Sequence, residues 1–405
     1  MRRLYTIALR LALPLILLRL WWRGRREPGY RDHIPERFGI YSGERPEKAL
    51  WVHAVSVGEA RAAAPLVREL KRAFPDHTLV MTCTTAAGRE TLKQVYGESV
   101  MSAFLPYDYP ESVQGFLERF RPRLAVLMET ELWPNLLAQS ERHGVPVLLA
   151  NARMSEKSAR GYRRLRALME PGIRSLAGVC AQSEDDAARL RALGAPRVKV
   201  TGNLKFDVEL DEKQLQAGRE WKRQLGRQVL LLASTRDGEE KLLLEEVPGS
   251  ILTVVVPRHP QRFDEVAALA DERRTGRPMP GPEIRIYLGD TMGEMAFYYA
   301  ACDVAVIGGS FMPLGGQNLI EALAAGAPVI VGPSMFNFAE ATRLAVAAGA
   351  AIQVSGPQEA MRRAAELLED GKKREAMARA GKALCEAHRG ATARHLEVLK
   401  ALVRG

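Results

Sequence analysis

ALWVHAV at residues 49–55 is an almost unbroken apolar run; it ends in SVGE at 56–59 and passes into ARAAAPLVRELKRA at 60–73. A run apolar on both of its faces suits a strand covered by helices on either side, and the stretch after it carries helical periodicity. The same alternation recurs along the chain. Further strands are expected at Thr78–Thr84, Leu124–Met128, Val147–Ala150, Gly178–Ala181 and Val198–Thr201. Helices are expected at Glu59–Ala73, Glu111–Phe120, Pro134–His143 and Glu184–Leu193. A second series has strands at Val229–Ala233, Ile251–Val256, Ile284–Ile286, Val304–Ile307, Pro328–Val331 and Ala351–Val354. Its helices are expected at Gly238–Glu246, Phe263–Arg273, Gly293–Ala301, Asn318–Ala325 and Pro357–Glu369. Two such series predict an α/β protein of two doubly wound parallel sheets. The expected divisions are 1–31, 32–207, a polar linker at 208–224, 225–371, and a helical end at 372–405 with no strand after it.

Length and composition agree with two domains. The chain has 405 residues, 47% of them apolar and 26% charged, which excludes disorder, collagen and a multi-span membrane protein. Lysine and arginine number 58 against 48 acids, so the protein is basic. Such a surplus suits a nucleic acid, an anionic membrane or an acidic substrate. Residues 1–31 hold eight arginines and one acid. The positive charge therefore concentrates at the amino end, beside tryptophans, with no nucleic-acid-binding motif; nucleic acid is not expected as a partner. Cys83, Cys180, Cys302 and Cys385 are widely spaced, which argues against a disulfide framework or a zinc site.

Leu4 to Trp22 is apolar except for Thr6, Arg10 and Arg19, and arginines flank it. A cleaved signal peptide should be followed by small residues, and Trp21-Trp22-Arg23 follows instead. The uninterrupted run Leu11–Leu18 is short for a span. A helix lying at the interface, with Trp21 and Trp22 at headgroup depth, competes evenly with a spanning helix. Either way, attachment to an anionic membrane surface is expected, with the basic side after Trp22 cytoplasmic.

In an open parallel sheet ligands bind beyond the carboxyl ends of the strands, so the strand-to-helix loops are the places to search. Ser56-x-x-Glu59 fits a helix capping box, and Glu59 equally fits a catalytic carboxylate at a loop tip. Glu129 and Glu131 stand at the mouth of the strand Leu124–Met128, beside Trp133. Asn151-Ala152-Arg153 and Gly202-Asn203-Leu204-Lys205 are polar ends of later strands. In the second half, Ser234, Thr235 and Arg236 suit a phosphate or an ordinary helix cap. Arg258 suits a phosphate or carboxylate, and Gly289–Met295 opens a helix with little bulk at its tip. Gly308-Gly309-Ser310 and Gly315-Gly316 are read as an anion cradle of backbone N–H groups. No G-x-G-x-x-G follows a strand and no P-loop appears, so a dinucleotide oxidoreductase and a P-loop NTPase are unsupported. There is no Asp-x-Asp to clamp a metal on a sugar nucleotide, which points to a metal-independent reaction without a cofactor.

Together these segments resemble the family of 3-deoxy-D-manno-octulosonic acid (Kdo) transferases, the lipid A glycosyltransferases of Gram-negative bacteria. The matching stretches are HAVSVGE at 53–59, METELWPN at 128–135, NARMSEKSARGY at 151–162, GNLKFD at 202–207, VPRHPQRF at 256–263, GDTMGEM at 289–295, GGSF at 308–311 and GPSMFNF at 332–338. One departure is Gly315-Gly316-Gln317-Asn318, where the family usually has His in place of Gln317. The stretch between Gly238 and Ile251 is also short for the family, implying a trimmed helix. The resemblance implies a GT-B fold, two Rossmann-like domains facing a cleft, with a membrane-associated helix at the amino end. The first domain would bind the acceptor and the second the CMP-sugar. It implies an inverting transfer of Kdo from CMP-Kdo to lipid IV-A in lipopolysaccharide biosynthesis, at the cytoplasmic side of the inner membrane. Glu59 would be the general base, and Glu129 and Lys205 would stabilise the transition state. Pro257, Arg258, Met292, Gly293, Glu294, Asn318, Leu319, Ile320 and Glu321 would contact CMP. Two alternatives stand beside it: another GT-B nucleotide-sugar enzyme, such as a UDP-sugar transferase or 2-epimerase, and a non-catalytic basic lipid-binding protein.

Overall fold

The computed structural model describes residues 1–245, 247 and 251–404. They form two compact units, Met1–Asp207 with Gly390–Gly405, and Val208–Arg389.

The first unit is built on a seven-stranded, wholly parallel sheet. Its strands are β1 (Ala49–His53), β2 (Thr78–Cys83), β3 (Met101–Phe104), β4 (Pro122–Met128), β5 (Val147–Ala152), β6 (Gly178–Ala181) and β7 (Val198–Val200), in the order β3-β2-β1-β4-β5-β6-β7. β1 is buried along its whole length, and Trp51 within it donates its indole N–H to Thr82 Oγ1 at 2.7 Å and packs on Phe116. Both faces of the sheet are sealed by helices, which is why these strands carry no polar alternation. The expected helix Glu59–Ala73 is two helices, Val57–Ala62 and Ala64–Ala73, because Pro65 lacks an N–H and its ring cannot sit inside a continuous helix.

The second unit repeats the plan with β8 (Val229–Thr235), β9 (Leu252–Pro257), β10 (Glu272–Arg273), β11 (Ile286–Leu288), β12 (Val304–Ile307), β13 (Val329–Val331) and β14 (Ala351–Gln353), in the order β10-β11-β9-β8-β12-β13-β14. In each sheet the order reverses beside the first strand, between β1 and β4 and between β8 and β12. The loops after those strands are the topological switch points where ligands of such sheets bind.

Several expectations need correcting. The expected linker 208–224 is mostly the helix Glu212–Leu225, capped by Asp211 and buried through Leu215, Gly218 and Trp221. A Cβ on Gly218 would lie 2.2 Å from Phe297 O, so the glycine permits close packing on the helix Met295–Ala301. The expected helix Phe263–Arg273 stops at Ala267. Asp271 instead accepts the N–H groups of Arg285 and Ile286, and pairing of β10 with β11 overrides local helix preference. The trimmed helix is Glu239–Leu244; the expected end Glu246 and residues 248–250 lie outside the described residues. The final helical segment is divided. Gly371–His388 belongs to the second unit, the chain turns at Gly390 (φ 84°), and Ala391–Arg404 packs in the first. Asp207 accepts the N–H groups of Gly390 and Thr392, tying the two crossings of the chain together.

The amino end forms two helices, Arg2–Leu11 and Leu13–Arg26, meeting at a bend of 52° just before Pro14. Among the described residues no single helix is long and apolar enough to cross a membrane. Leu4, Ile7, Leu11, Leu15, Leu18, Trp21 and Trp22 are all exposed.

Candidate functional site

In the first unit three loops at the carboxyl ends of strands converge on a group of charges. Glu59 follows β1 in the first turn of the helix Val57–Ala62. Its carboxylate accepts the Val55 N–H at 2.9 Å and the Ser56 hydroxyl at 2.9 Å, while Ser56 Oγ accepts the Glu59 N–H at 3.3 Å. The capping box expected from the sequence therefore exists. It does not exhaust the residue. A carboxylate that only caps a helix is held ionised by those N–H groups. Glu59 is instead pushed up to about 7, by burial first and then by the negative charges of Glu129 and Glu131, which together outweigh the Val55 and Ser56 bonds. A carboxyl poised near neutrality is suited to accept a proton.

Glu129 follows β4 with a left-handed backbone (φ 56°), its N–H bonded to Ala150 O at 2.9 Å. That conformation is uncommon without glycine and turns the residue out of line with its strand. Its Oε1 lies 3.3 Å from Lys205 Nζ, an ion pair largely shielded from solvent. Lys205 comes from the short turn Leu204–Phe206 after β7, 76 residues away in the chain. Glu131 is also raised, by burial and by Glu129, against the opposing N–H of Trp133 at 2.8 Å. The structure brings Glu59, Glu129 and Lys205 into one electrostatic group.

Two buried residues hold these loops: Asn151, which the sequence marked as a polar strand end, and His395, which it did not flag. Asn151, at the end of β5 with φ 50°, accepts the Leu204 N–H on Oδ1 at 3.0 Å. His395, fully buried on the helix Ala391–Arg404, donates from Nδ1 to Ala391 O at 2.7 Å, so its Nε2 accepts the Asn151 N–H at 2.9 Å. Thr201 Oγ1 lies 3.3 Å from the same nitrogen. One neutral imidazole thus braces the loop after β5 and the strand end leading to Lys205. Burial lowers His395 to about 4. Unfolding lets it titrate at its ordinary value, so its contribution to stability is complete above about pH 6.5 and is lost as pH falls toward about 4. Accordingly, His395→Gln should show a smaller drop in Tm between about pH 7.5 and about pH 5 than the parent, measured by calorimetry. An equal drop would refute a neutral histidine.

In the second unit, β8 and β9 end in a cluster of cations. His259 is lowered by burial and then by Arg236, Arg258 and Arg262, which places three guanidiniums around that corner. Arg262 is locked by Glu240 at 2.7 and 3.0 Å. Pro257 and Arg258 close β9, with the Arg258 N–H bonded to Thr235 O. Met292 and Gly293 are exposed ahead of the helix Met295–Ala301, and nothing crowds Gly293 (φ 80°). Glu294 is gripped by the Arg274 fork at 2.9 and 3.2 Å and held below the usual carboxylate range; burial opposes this, but the Arg274 and Thr291 bonds outweigh it. Asn318 donates to Glu321 at 2.8 Å and accepts the Ile320 N–H, while Leu319 and Ile320 are buried and shape that turn.

The anion cradle is a correction. The N–H groups of Arg236, Gly309 and Phe311 are taken by the carboxylate of Glu239, at 2.9, 2.6 and 3.0 Å. Gly308, Gly315 and Gly316 donate to Ala233 O, Ser334 Oγ and Gly309 O. Ser310 bonds Ile307 O and accepts from Gly332, and Thr235 bonds Glu240. The anion in this cradle is the protein's own buried glutamate, and of the Ser234, Thr235 and Arg236 group only Ser234 and Arg236 are partly exposed. The glycine pair serves the turn: Gly315 and Gly316 have φ of 86° and 74°, and a Cβ on Gly316 would meet Met335 Sδ at 2.1 Å. Glu239→Gln should therefore cost about 2–3 kcal/mol, because an amide places donors against buried N–H groups. A lowered Tm with no other change in the first unit's properties is the expected readout.

The Kdo transferase family model, described as 3-deoxy-D-manno-octulosonic-acid transferase (kdotransferase), matches residues 32–208, and a model of group 1 glycosyl transferases matches residues 279–384. The 3-deoxy-D-manno-octulosonic acid transferase of Bordetella pertussis is 46% identical, covering 98% of this chain and 99% of the relative. The one from Haemophilus influenzae is 35% identical, covering 98% of each. The chain belongs to the Kdo transferase family. It is a glycosyltransferase by that membership. Among solved structures, Anabaena HepE in complex with UDP matches at TM-score 0.58 with 16% identity, covering 88% of this chain and 100% of that one. The Neisseria meningitidis UDP-GlcNAc 2-epimerase bound to UDP-GlcNAc matches at 0.56 with 18% identity, covering 87% and 100%. These likenesses establish the two-domain GT-B fold of the transferase. Its strand-end loops carry the quoted family stretches, Asn151 among them, whereas Glu239 and His395 gave no signal beyond polarity, since their importance lies in distant partners.

Proposed function

We propose that this Kdo transferase moves Kdo from CMP-Kdo to lipid IV-A with inversion, in lipopolysaccharide biosynthesis at the cytoplasmic side of the inner membrane. The observation that carries the proposal is the Glu59 carboxyl, raised to about 7 beside Glu129 at the switch point of the first sheet. In this reading Glu59 takes the proton of an acceptor hydroxyl as its oxygen bonds to the anomeric carbon. The bond from that carbon to the CMP phosphate breaks, and its electron pair leaves with the phosphate. Glu129 favours the positive character that develops on the sugar, with Lys205 paired beside it at 3.3 Å. Arg258 and Arg236 offset the phosphate charge, and Met292–Glu294 with Asn318–Glu321 hold the nucleotide. CMP-Kdo is a substrate, and the reaction uses no metal or other cofactor.

Incubating the protein with CMP-Kdo and lipid IV-A should give a product heavier by one or more Kdo units by mass spectrometry. Separately, CMP should raise the melting temperature and UDP should not; a preference for UDP would overturn the donor. The exposed leucines and tryptophans of residues 4–22 support attachment by the amino end. Replacing Trp21 and Trp22 by serine should weaken binding to anionic vesicles about tenfold in a flotation assay. Unchanged flotation would place the contact elsewhere.

A further inference from the structure

A cavity of about 350 Å³ lies in the first unit, where the helix Arg2–Leu11 packs on the helices Pro110–Phe120 and Pro134–Arg142. Arg2, Arg3 and Arg10 come from one face of the first helix and Arg142 from the end of the third. The floor is polar and fixed: buried Thr6 and Asn135 bond each other, and Asn135 also donates to Asp108 O at 2.7 Å. Arg10 pairs with Glu111 at 3.1 Å, both exposed. Among the described residues no carboxylate comes within ion-pair distance of Arg2, Arg3 or Arg142. The Asp108 carboxylate stands behind the floor, its oxygens taken by the N–H groups of Asn135 and Leu136, so that helix start is already capped. Three guanidiniums against this one carboxylate leave a surplus of two positive charges.

The cavity adjoins an apolar stripe. Ile7 lines it and is 52% exposed, and Leu4 and Leu11 continue the same helix face outward. A ligand suited to both features has a doubly charged head and an apolar body. Guanidinium forks match phosphate oxygens in pairs, and a monoester presents one more charge and one more free oxygen than a diester.

We propose that this cavity is a binding site for the phosphate monoester of a lipid whose chains lie along the exposed stripe. The cavity shares no lining residue with the donor or base residues, and the proposal does not depend on the transfer reaction. It also differs from general attraction to an anionic surface, which would not tell a monoester from a diester at equal charge.

The test uses the full chain and phosphatidylcholine vesicles containing either phosphatidic acid or phosphatidylglycerol, adjusted to the same zeta potential. The protein should bind the phosphatidic acid vesicles about tenfold more tightly. The exposed pair Arg3→Gln/Arg142→Gln should bring that ratio to about one while binding to phosphatidylglycerol changes less than about threefold. Arg142→Gln alone, outside the membrane-facing helices, should give an intermediate ratio. Equal affinity for the two vesicles in the parent, or a preference that survives in the double variant, would overturn the proposal. Inorganic phosphate that abolishes the preference at concentrations matching the lipid headgroup would assign the cavity to free phosphate and overturn the lipid claim.

Discussion

Glu59→Gln should lower the rate of Kdo transfer by about a thousandfold or more and leave CMP binding intact. The amide oxygen can still accept the Val55 N–H, and the Ser56 oxygen can accept from the amide NH2 once its own hydroxyl hydrogen turns away, so the start of the helix Val57–Ala62 survives. What the amide cannot do is take a proton. The CMP contacts proposed above all belong to the second unit, so a CMP-induced rise in Tm should persist in the variant. The parent enzyme should also show a rate that climbs with pH through an inflection near 7, since the base works only when ionised and its pKa is raised to about 7. The measurement is kcat against pH at saturating donor and acceptor. Activity within about tenfold of the parent would leave Glu59 as a helix cap and nothing more.

Glu129→Gln separates the two parts assigned to its neighbour. Glu129 is the largest electrostatic contributor to the raised Glu59 pKa after burial. Removing its charge should move the inflection to lower pH by about one unit, making Glu59 ionise more readily. If Glu129 merely tuned that pKa, the variant would match or exceed the parent at neutral pH. If it stabilises the developing positive sugar, the plateau rate should fall by about a hundredfold despite the better-ionised base. We expect the fall. Lys205→Ala should act with the opposite sign on the profile, because Glu129 loses the ammonium 3.3 Å away and its field at Glu59 is less compensated. A profile unmoved in both variants would contradict the coupling between these loops.

The strands of both sheets were legible because each is a short apolar run buried on two faces, and burial of that kind leaves its mark residue by residue. β3 and β10 were missed. Residues 101–104, MSAF, include a serine and are partly exposed at the sheet edge, and Glu272–Arg273 is a two-residue edge strand whose local composition favours helix. The loop carboxylates were legible as chemistry out of place at the mouths of apolar strands. The glycine pairs misled for the opposite reason: tight turns and anion cradles use the same residue, and only distant partners, Glu239 for Gly309 and Ser334 for Gly315, decide between them.

By itself the sequence determined two doubly wound halves, the strand-end loops that carry Glu59, Glu129, Lys205 and Arg258, and an arginine-rich apolar amino end. These are local properties, set by periodicity and by which side chains follow a strand. Tertiary structure alone decided that Glu59 is poised near neutrality, that Glu129 meets Lys205 from 76 residues away, that the last helix returns to brace the first unit through His395, and that four arginines gather around one cavity. Each of those depends on a field or a hydrogen bond acting across space, and such interactions fall off with distance between atoms, which the order of residues along the chain does not record.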